Sequence, residues 1–331
     1  MSRPALNTDV LALDGEAETA RIGEFFLHTL RGLNKRGVVL GLSGGVDSSV
    51  CAALAVRALG PQRVFGLLMP ERDSSHASAS LGAQVAQQLG IEYAVEDIAP
   101  ALDAIGCYRW RDEAVRTVLP AYTPQWKIKL AISGGLAGGI NHFKLIAQAP
   151  DGVLSETRLP LRAYLQIVAA TNHKQRLRKT LEYFHADRLN YAVIGTPNRL
   201  EYDQGFFVKN GDGSADLKPI AHLYKTQVYA LARHLGLPDA VCSAAPTTDT
   251  YSLPQGQDEF YFALPWHQMD LALWARNHGY GDTELAQALG TTPQAAAAVL
   301  GDIDAKRRST RYLHARPALV EPVFPTSGDD A

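Results

Sequence analysis

The sequence predicts an α/β protein: a doubly wound parallel sheet flanked by helices, with an insertion and a helical C-terminal extension. Three observations predict it. Short apolar runs alternate with amphipathic runs of helical length through the first third of the chain. The second and third of those helical runs stop at glycines, Gly60 and Gly90. A glycine-serine turn, Ser43-Gly44-Gly45-Val46-Asp47-Ser48, sits where the first apolar run hands over to a helix. Strand–helix–strand–helix–strand at these lengths gives parallel strands joined by right-handed crossovers.

The elements follow in order. Ile22, Phe25, Phe26, Leu30 and Leu33 fall near helical spacing, which predicts an amphipathic helix over 17–34. The runs at 38–42, 64–69 and 92–98 read as strands, and 48–59 and 76–89 as the helices between them. Residues 101–165 hold aromatics, prolines and a glycine-rich string from Ser133 to Ile140, and read as an irregular insertion with some helix. A helix over 166–185 leads into a fourth buried strand at 191–196. Glycines and a proline make 199–220 a loop, 222–235 reads as a helix, and 243–260 reads as a mobile loop. Thr292 caps a further helix with Pro293 in its first turn. The expected division is a sheet domain over 1–265, insertion included, and a helical extension over 266–331 packed on it.

Bulk properties exclude several classes. The chain has 331 residues, 46% hydrophobic and 20% charged, the composition of an ordinary globular protein. A formal net charge of −2 gives no broad attraction to nucleic acid or anionic lipid. Cys51, Cys107 and Cys242 are scattered without a CxxC pair, so neither a disulfide framework nor a cysteine zinc site is expected. No secretory segment or membrane-length apolar run is seen, and the cytoplasm is the expected compartment.

The turn at 43–48 carries the chemistry. Glycines let the backbone approach an anion closely, and the following helix offers free N–H groups and the positive end of its dipole. Ser43, Ser48 and Ser49 add hydroxyls. Asp47 cannot hold phosphate directly, because like charges repel; it needs a cation such as Mg²⁺ in between. No lysine follows the glycines, so this is not the GxxxxGK[ST] loop of kinases and GTPases. A tight turn with Asp47 as a helix cap is the plain alternative.

Ser43–Ser48 resembles the SGGxDS loop of the N-type ATP pyrophosphatases, which cleave ATP between its α- and β-phosphates. Within that group, residues 193–228 resemble NAD synthetases: Gly195-Thr196, a glutamate at 201, the string from Gly205 to Lys209, Gly211-Asp212-Gly213, Asp216, and Lys225-Thr226-Gln227. The string at 246–249 and that at 172–178 are similar to two further stretches of the same family. The resemblance implies the adenine nucleotide alpha hydrolase-like fold. It also implies amidation of nicotinate adenine dinucleotide to NAD through an adenylated carboxylate, with ATP as co-substrate, Mg²⁺ as cofactor and ammonia as nitrogen donor.

Residue by residue, the resemblance implies that Ser43, Gly44, Gly45, Asp47 and Ser48 hold the pyrophosphate end of ATP. Asp47 and Glu201 are the implied Mg²⁺ ligands. Thr196 lies beside ATP, and Lys225 and Thr247 contact its phosphates. Lys209, Asp212 and Asp216 line the dinucleotide side, with Asn172 and Arg176 in the same cleft. Asp216 is the implied group for holding or deprotonating ammonia. Roughly 37 residues precede the first strand, too few for the amidase domain of glutamine-using members, so free ammonia is expected unless a separate glutaminase subunit delivers it. A homodimer is the implied assembly.

The pattern also departs from the family. Leu67-Leu68-Met69-Pro70 lacks an arginine common in compact members, which Arg72 could replace, and the stretch 101–165 is long. Both leave room for a different acceptor carboxylate. A DNA-binding regulator is the rival of another class: residues 284–300 resemble a helix-turn-helix, and Lys306, Arg307, Arg308 and Arg311 follow. Two packed helices with a solvated basic face explain the same string.

Overall fold

The structure is a computed structural model that describes residues 5–133, 142–247, 250–262, 264–321 and 323. It opens with α1 (Gly15–Gly32), β1 (Val38–Gly41), α2 (Val46–Leu59), β2 (Val64–Leu68), α3 (His76–Leu89) and β3 (Glu92–Val95). Two helices follow, α4 (Ala99–Ile105) and α5 (Cys107–Arg116), then β4 (Lys127–Ser133), β5 (His142–Gln148) and β6 (Leu154–Arg158). The chain continues through α6 (Leu161–Leu189), β7 (Ala192–Val193), α7 (Arg199–Gln204), α8 (Lys225–His234) and α9 (Asp239–Ser243). It ends with α10 (Trp266–Asn277), α11 (Asp282–Leu289) and α12 (Pro293–His314).

The parallel sheet has the order β3-β2-β1-β7. Val38 and Val39 pair with Val64 and Phe65 on one side and with Ala192 and Val193 on the other. The chain runs outward from β1 to β3, then returns through α6 to the opposite side of β1. That reversal places the carboxyl ends of β1 and β7 next to each other, which is where open α/β sheets bind ligands. All of β2 is buried, as expected of a strand covered on both faces. One face packs on α1, α2 and α8 through Phe26, Val50, Leu54 and Leu231. The other packs on α4, α5 and α6 through Leu102, Tyr108 and Ala186.

The insertion is more regular than its sequence suggests. Residues 101–165 form most of α4, all of α5 and an antiparallel sheet, β4-β5-β6, before α6 begins at Leu161. The signal is an alternation, not a run: Ile128 and Leu130 point inward while Lys127 and Lys129 face outward, so only one face is apolar. The glycine-rich string after Ser133 lies outside the described residues.

Of the segment 243–260, expected to be a mobile loop, residues 252–259 are instead pinned to β4. The Ile128 amide donates to Ser252 Oγ (2.9 Å), the Leu253 amide to the Ile128 carbonyl (3.1 Å), and Gln255 Nε2 to the Leu130 carbonyl. Lys129 Nζ reaches Glu259 at 2.7 Å. Tyr251 and Leu253 are buried. These contacts join residues more than a hundred positions apart, so local composition did not announce them.

A buried ion cluster ties the insertion to the sheet. Lys174 Nζ on α6 donates to Glu71 (2.9 Å) and Asp73 (2.6 Å) on the loop after β2, and to the Thr250 carbonyl (3.2 Å). Arg111 on α5 pairs with the same Asp73 and with Asp112. Arg72, expected to reach the nucleotide, lies over the Tyr108 ring at 4.0 Å. Its guanidinium therefore faces the insertion.

The C-terminal helices have their own apolar core, built from Met269, Leu273, Leu285, Val299 and Ile303 together with Leu200 of α7 and Tyr224 just before α8. Thr292 accepts the Ala295 amide as the expected cap (3.2 Å). The helix-turn-helix string is two helices packed through Leu285, Ala286, Ala296 and Val299. Two of the basic residues behind it are paired internally: Arg307 with Asp203 on α7, and Lys306 with Asp302. The DNA-binding reading has no support in this arrangement.

Candidate active site

The loop from Ser43 to Ser48 leaves β1 and starts α2. Gly44 has φ +78°, and a Cβ there would sit 2.5 Å from the Ser78 carbonyl, so only glycine fits. Ser43 and Gly45 are exposed, whereas Ser48 and Ser49 are buried and donate to the Gly45 carbonyl at 3.1 and 2.8 Å. Those bonds brace the turn from inside. The backbone N–H groups of Val46, Asp47 and Ser48 lie in the first helical turn and have no intrahelical acceptor, a geometry suited to an anion.

Three side chains converge beside it. Asp47 comes from the first turn of α2, Glu201 from the third position of α7, and Lys225 from the first position of α8. Lys225 is 1% exposed, and its ammonium contacts Asp47 Oδ2. Asn198, fully buried, donates from Nδ2 to Asp47 Oδ1 at 3.0 Å. Asn198 also caps α7: its side chain takes the Glu201 amide at 3.3 Å, and Glu201 Oε2 takes the Asn198 amide at 3.2 Å. Gln257 donates to Glu201 Oε1 at 2.8 Å.

Desolvation pushes the Glu201 carboxyl up to about 7, Asp47 adds repulsion, and Lys225 pulls the other way. Burial alone would lower Lys225, but Asp47 and Glu201 outweigh it and raise its ammonium. With Glu201 ionised, two carboxylates and one ammonium leave one negative charge over. The donors are carboxylate oxygens with no cysteine or histidine, which suits a hard cation such as Mg²⁺. Among the described residues, no group of three or more acids, histidines or cysteines could hold a metal alone. A cation here would draw its remaining oxygens from water or phosphate.

The other residues singled out from sequence are spread around this centre. Thr196 is half-buried just past β7, two positions before Asn198. Thr247 is exposed and bridges to Gly256 in the segment clasped by β4. Asn172 and Arg176 lie one turn apart on α6, and Arg176 Nε donates to the Lys209 carbonyl at 3.2 Å. Lys209 Nζ is turned to the end of α12, at 2.7 Å from the Tyr312 carbonyl and 3.2 Å from that of Ala315. Asp212 closes its own turn by accepting the Val208 amide at 2.8 Å. Asp216 accepts the Val193 amide at 2.7 Å and the Tyr183 hydroxyl at 3.3 Å. The Asp216–Val193 bond fastens the loop after β7 to the sheet, and none of these bonds runs to Asp47, Glu201 or Lys225.

Sequence reasoning missed Asn198 and Asp270, and took Gln257, with Asp258 and Glu259, only as part of a lid over the site. Asn198 was legible: Asn-x-x-Glu ahead of a helix is a capping-box signature. Gln257 and Asp270 carry no local signal, because each acts on a residue 56 or 45 positions away.

The comparisons agree with this geometry. Residues 18–119 and 148–311 match the model of the NAD synthase family. The stretch between the two matched blocks, 120–147, holds β4 and most of β5. The chain is 57% identical over 322 residues to an NH(3)-dependent NAD(+) synthetase of Rhizobium rhizogenes, covering 97% of each protein. It is 58% identical over 312 residues to one of Mesorhizobium japonicum, covering 94% of this chain and 98% of that one. Among solved structures, NAD+ synthetase from Burkholderia pseudomallei superposes with a TM-score of 0.57 at 26% identity, over 94% of this chain and 99% of that one. The fold is thus the adenine nucleotide alpha hydrolase-like arrangement of NAD synthetases, and the chain belongs to the NAD synthase family.

Proposed function

We propose that this chain joins ammonia to the carboxylate of nicotinate adenine dinucleotide, at the cost of ATP, to give NAD, AMP and pyrophosphate. The observation that carries the reading is the meeting of Asp47, Glu201 and Lys225 at the mouth of the glycine-serine loop. The naming of the 57% identical relative as ammonia-dependent supports the choice of acceptor and nitrogen donor.

A carboxylate is a poor electrophile at neutral pH. Its oxygen attacks the α-phosphorus of ATP, the bond to the β-phosphate oxygen breaks, and pyrophosphate leaves. Ammonia then attacks the acyl carbon, AMP departs with the bonding oxygen, and one proton is lost. The first step needs little acid–base work and much charge stabilisation. The loop amides from Gly45 to Ser48 seat the departing pyrophosphate. Lys225, fixed by Asp47 and shielded from water, presents a positive charge to the phosphates. Asp47 and Glu201 would hold Mg²⁺, with Gln257 and Asn198 orienting the two carboxylates. When bound, that cation neutralises phosphate charge. Ser43 and Thr196 border the nucleotide. Asp216 receives the ammonia role, which requires its bonds to Val193 and Tyr183 to open or be shared.

Incubation with ATP, Mg²⁺, ammonium and nicotinate adenine dinucleotide is expected to give NAD, AMP and pyrophosphate in equal amounts. Glutamine in place of ammonium is expected to give none. Turnover with other acids and none with this dinucleotide would refute the reading.

The proposed working unit is a cytoplasmic homodimer. Leu161 and Leu165, one turn apart on α6, are 70% and 54% exposed and offer an apolar face. Sedimentation is expected to give twice the 35.9 kDa chain mass; a monomer at micromolar concentration would overturn the dimer. All three cysteines are free, which fits a reducing compartment, and no described helix is long and apolar enough to cross a membrane.

A further inference from the structure

Asp270 lies in the C-terminal extension and is fully buried. Its Oδ1 accepts the backbone amide of Lys225 at 3.0 Å. Its Oδ2 accepts the amide and the hydroxyl of Thr226, both at 2.6 Å. No basic side chain pairs with it among those bonds; its charge is met by the free amides and the dipole at the start of α8. Burial pushes its carboxyl up to about 6, below neutral pH, with the Thr226 hydroxyl among the groups holding it down. Three donors converging on its two oxygens favour the anion.

A cap that served helix stability alone would come from the residue before the helix. Here that residue is Tyr224, whose side chain does something else. It packs near Trp274, with ring centroids 5.5 Å apart, and its hydroxyl takes a bond from Asn277 at 3.2 Å. Asp270, Trp274 and Asn277 are four and three residues apart, so they share one face of α10. That face lies across Tyr224, Lys225 and Thr226 together. The rest of α10 is anchored by Met269, Leu271 and Leu273 in the C-terminal core.

We propose that Asp270 is a positioning residue for ATP activation: by gripping the Lys225 and Thr226 amides it fixes where the Lys225 ammonium stands over the phosphate seat. The inference rests on the phosphate role given to Lys225 above. It makes the extension part of the catalytic unit rather than a packed addition. With the Lys225 stem buried, a shift of its backbone is passed on to the ammonium and disturbs its contact with Asp47. A displacement of about 1 Å in such a group costs on the order of 100-fold in rate.

The test is a cycle of Asp270→Asn and Lys225→Met, read by calorimetric binding of ATP and by pyrophosphate release. Asp270→Asn is expected to weaken ATP binding and to lower kcat by about 10-fold, with the KM for nicotinate adenine dinucleotide unchanged. In the Lys225→Met background it is expected to cause no further loss of ATP binding. Equal losses in both backgrounds would overturn the positioning role. If Lys225→Met alone binds and turns over ATP normally, the reading of the site fails instead. Arg276→Ala, on the same helix as Asp270, removes an exposed pair with Asp304 of α12 and is expected to leave ATP binding unchanged. Should Asp270→Asn fail to fold, Thr226→Ala removes one of the three donors and must show the same dependence on Lys225; independence would overturn the proposal.

Discussion

Lys225→Met is expected to lower pyrophosphate release by about 100- to 1,000-fold while leaving the fold in place. Methionine matches the buried stem and removes only the ammonium. The rate loss follows from where the charge sits. Lys225 is 1% exposed, so its field reaches the phosphates without bulk screening. Transfer of the AMP group moves negative charge onto the departing pyrophosphate, and a fixed positive group beside it needs no reorganisation. Removing it also leaves Asp47 and Glu201 facing each other without a counter-charge. Mg²⁺ binding, followed by calorimetry, is therefore expected to persist or tighten while turnover is lost. Retained turnover with weakened Mg²⁺ binding would show that Lys225 serves the metal site alone.

Asp47→Asn is the second large effect, and it acts on both activity and stability. Activity is expected to fall by about 100-fold or more, because one of two proposed metal ligands loses its charge. Stability falls as well. A buried ammonium that loses its ion-pair partner costs about 3–5 kcal/mol, less what Glu201 restores through its own attraction. The buried contact between Asp47 and Lys225 is the reason. Adding Lys225→Met to Asp47→Asn removes the orphaned charge. Denaturant unfolding of the double variant is expected to show recovered stability, while pyrophosphate release stays lost. A double variant less stable than Asp47→Asn would mean that the pair contributes little as a pair.

The two variants separate roles that the opening loop merges. Ser43, Gly44, Gly45 and Ser48 build the proposed anion seat, a glycine turn braced by serine hydroxyls. Asp47 lies within the loop but faces away from that role, towards Lys225 and Asn198. Its carboxylate makes sense only with partners supplied from α7 and α8.

Much of this was legible in the sequence, because short-range physics governs it. Strands at 38–41 and 64–68 announce themselves as apolar runs, since a strand covered on both faces has no polar side to show. The glycine at 44 announces a backbone that no other residue adopts there. Glu201 and Lys225 stood out by resemblance, and the sheet order explains why they meet: β7 returns to the side of β1 opposite β2.

What the sequence by itself determined, then, is the layered sheet, the glycine-serine loop proposed to seat an anion, and the residue types able to work beside it. Tertiary structure alone decided three further matters. The insertion became a half-exposed antiparallel sheet whose edge clasps the segment bearing Gln257, and so orients Glu201. Lys209, Asp212 and Asp216 took up local bonds that tie their loop to α12, to itself and to β7. Asp270 reached from the last helices to the first turn of α8. Periodicity and turn chemistry record what a residue does with neighbours a few positions away. A carboxylate that finds its donors 45 positions off leaves no such record, because only the packing of complete helices brings the two within hydrogen-bond reach.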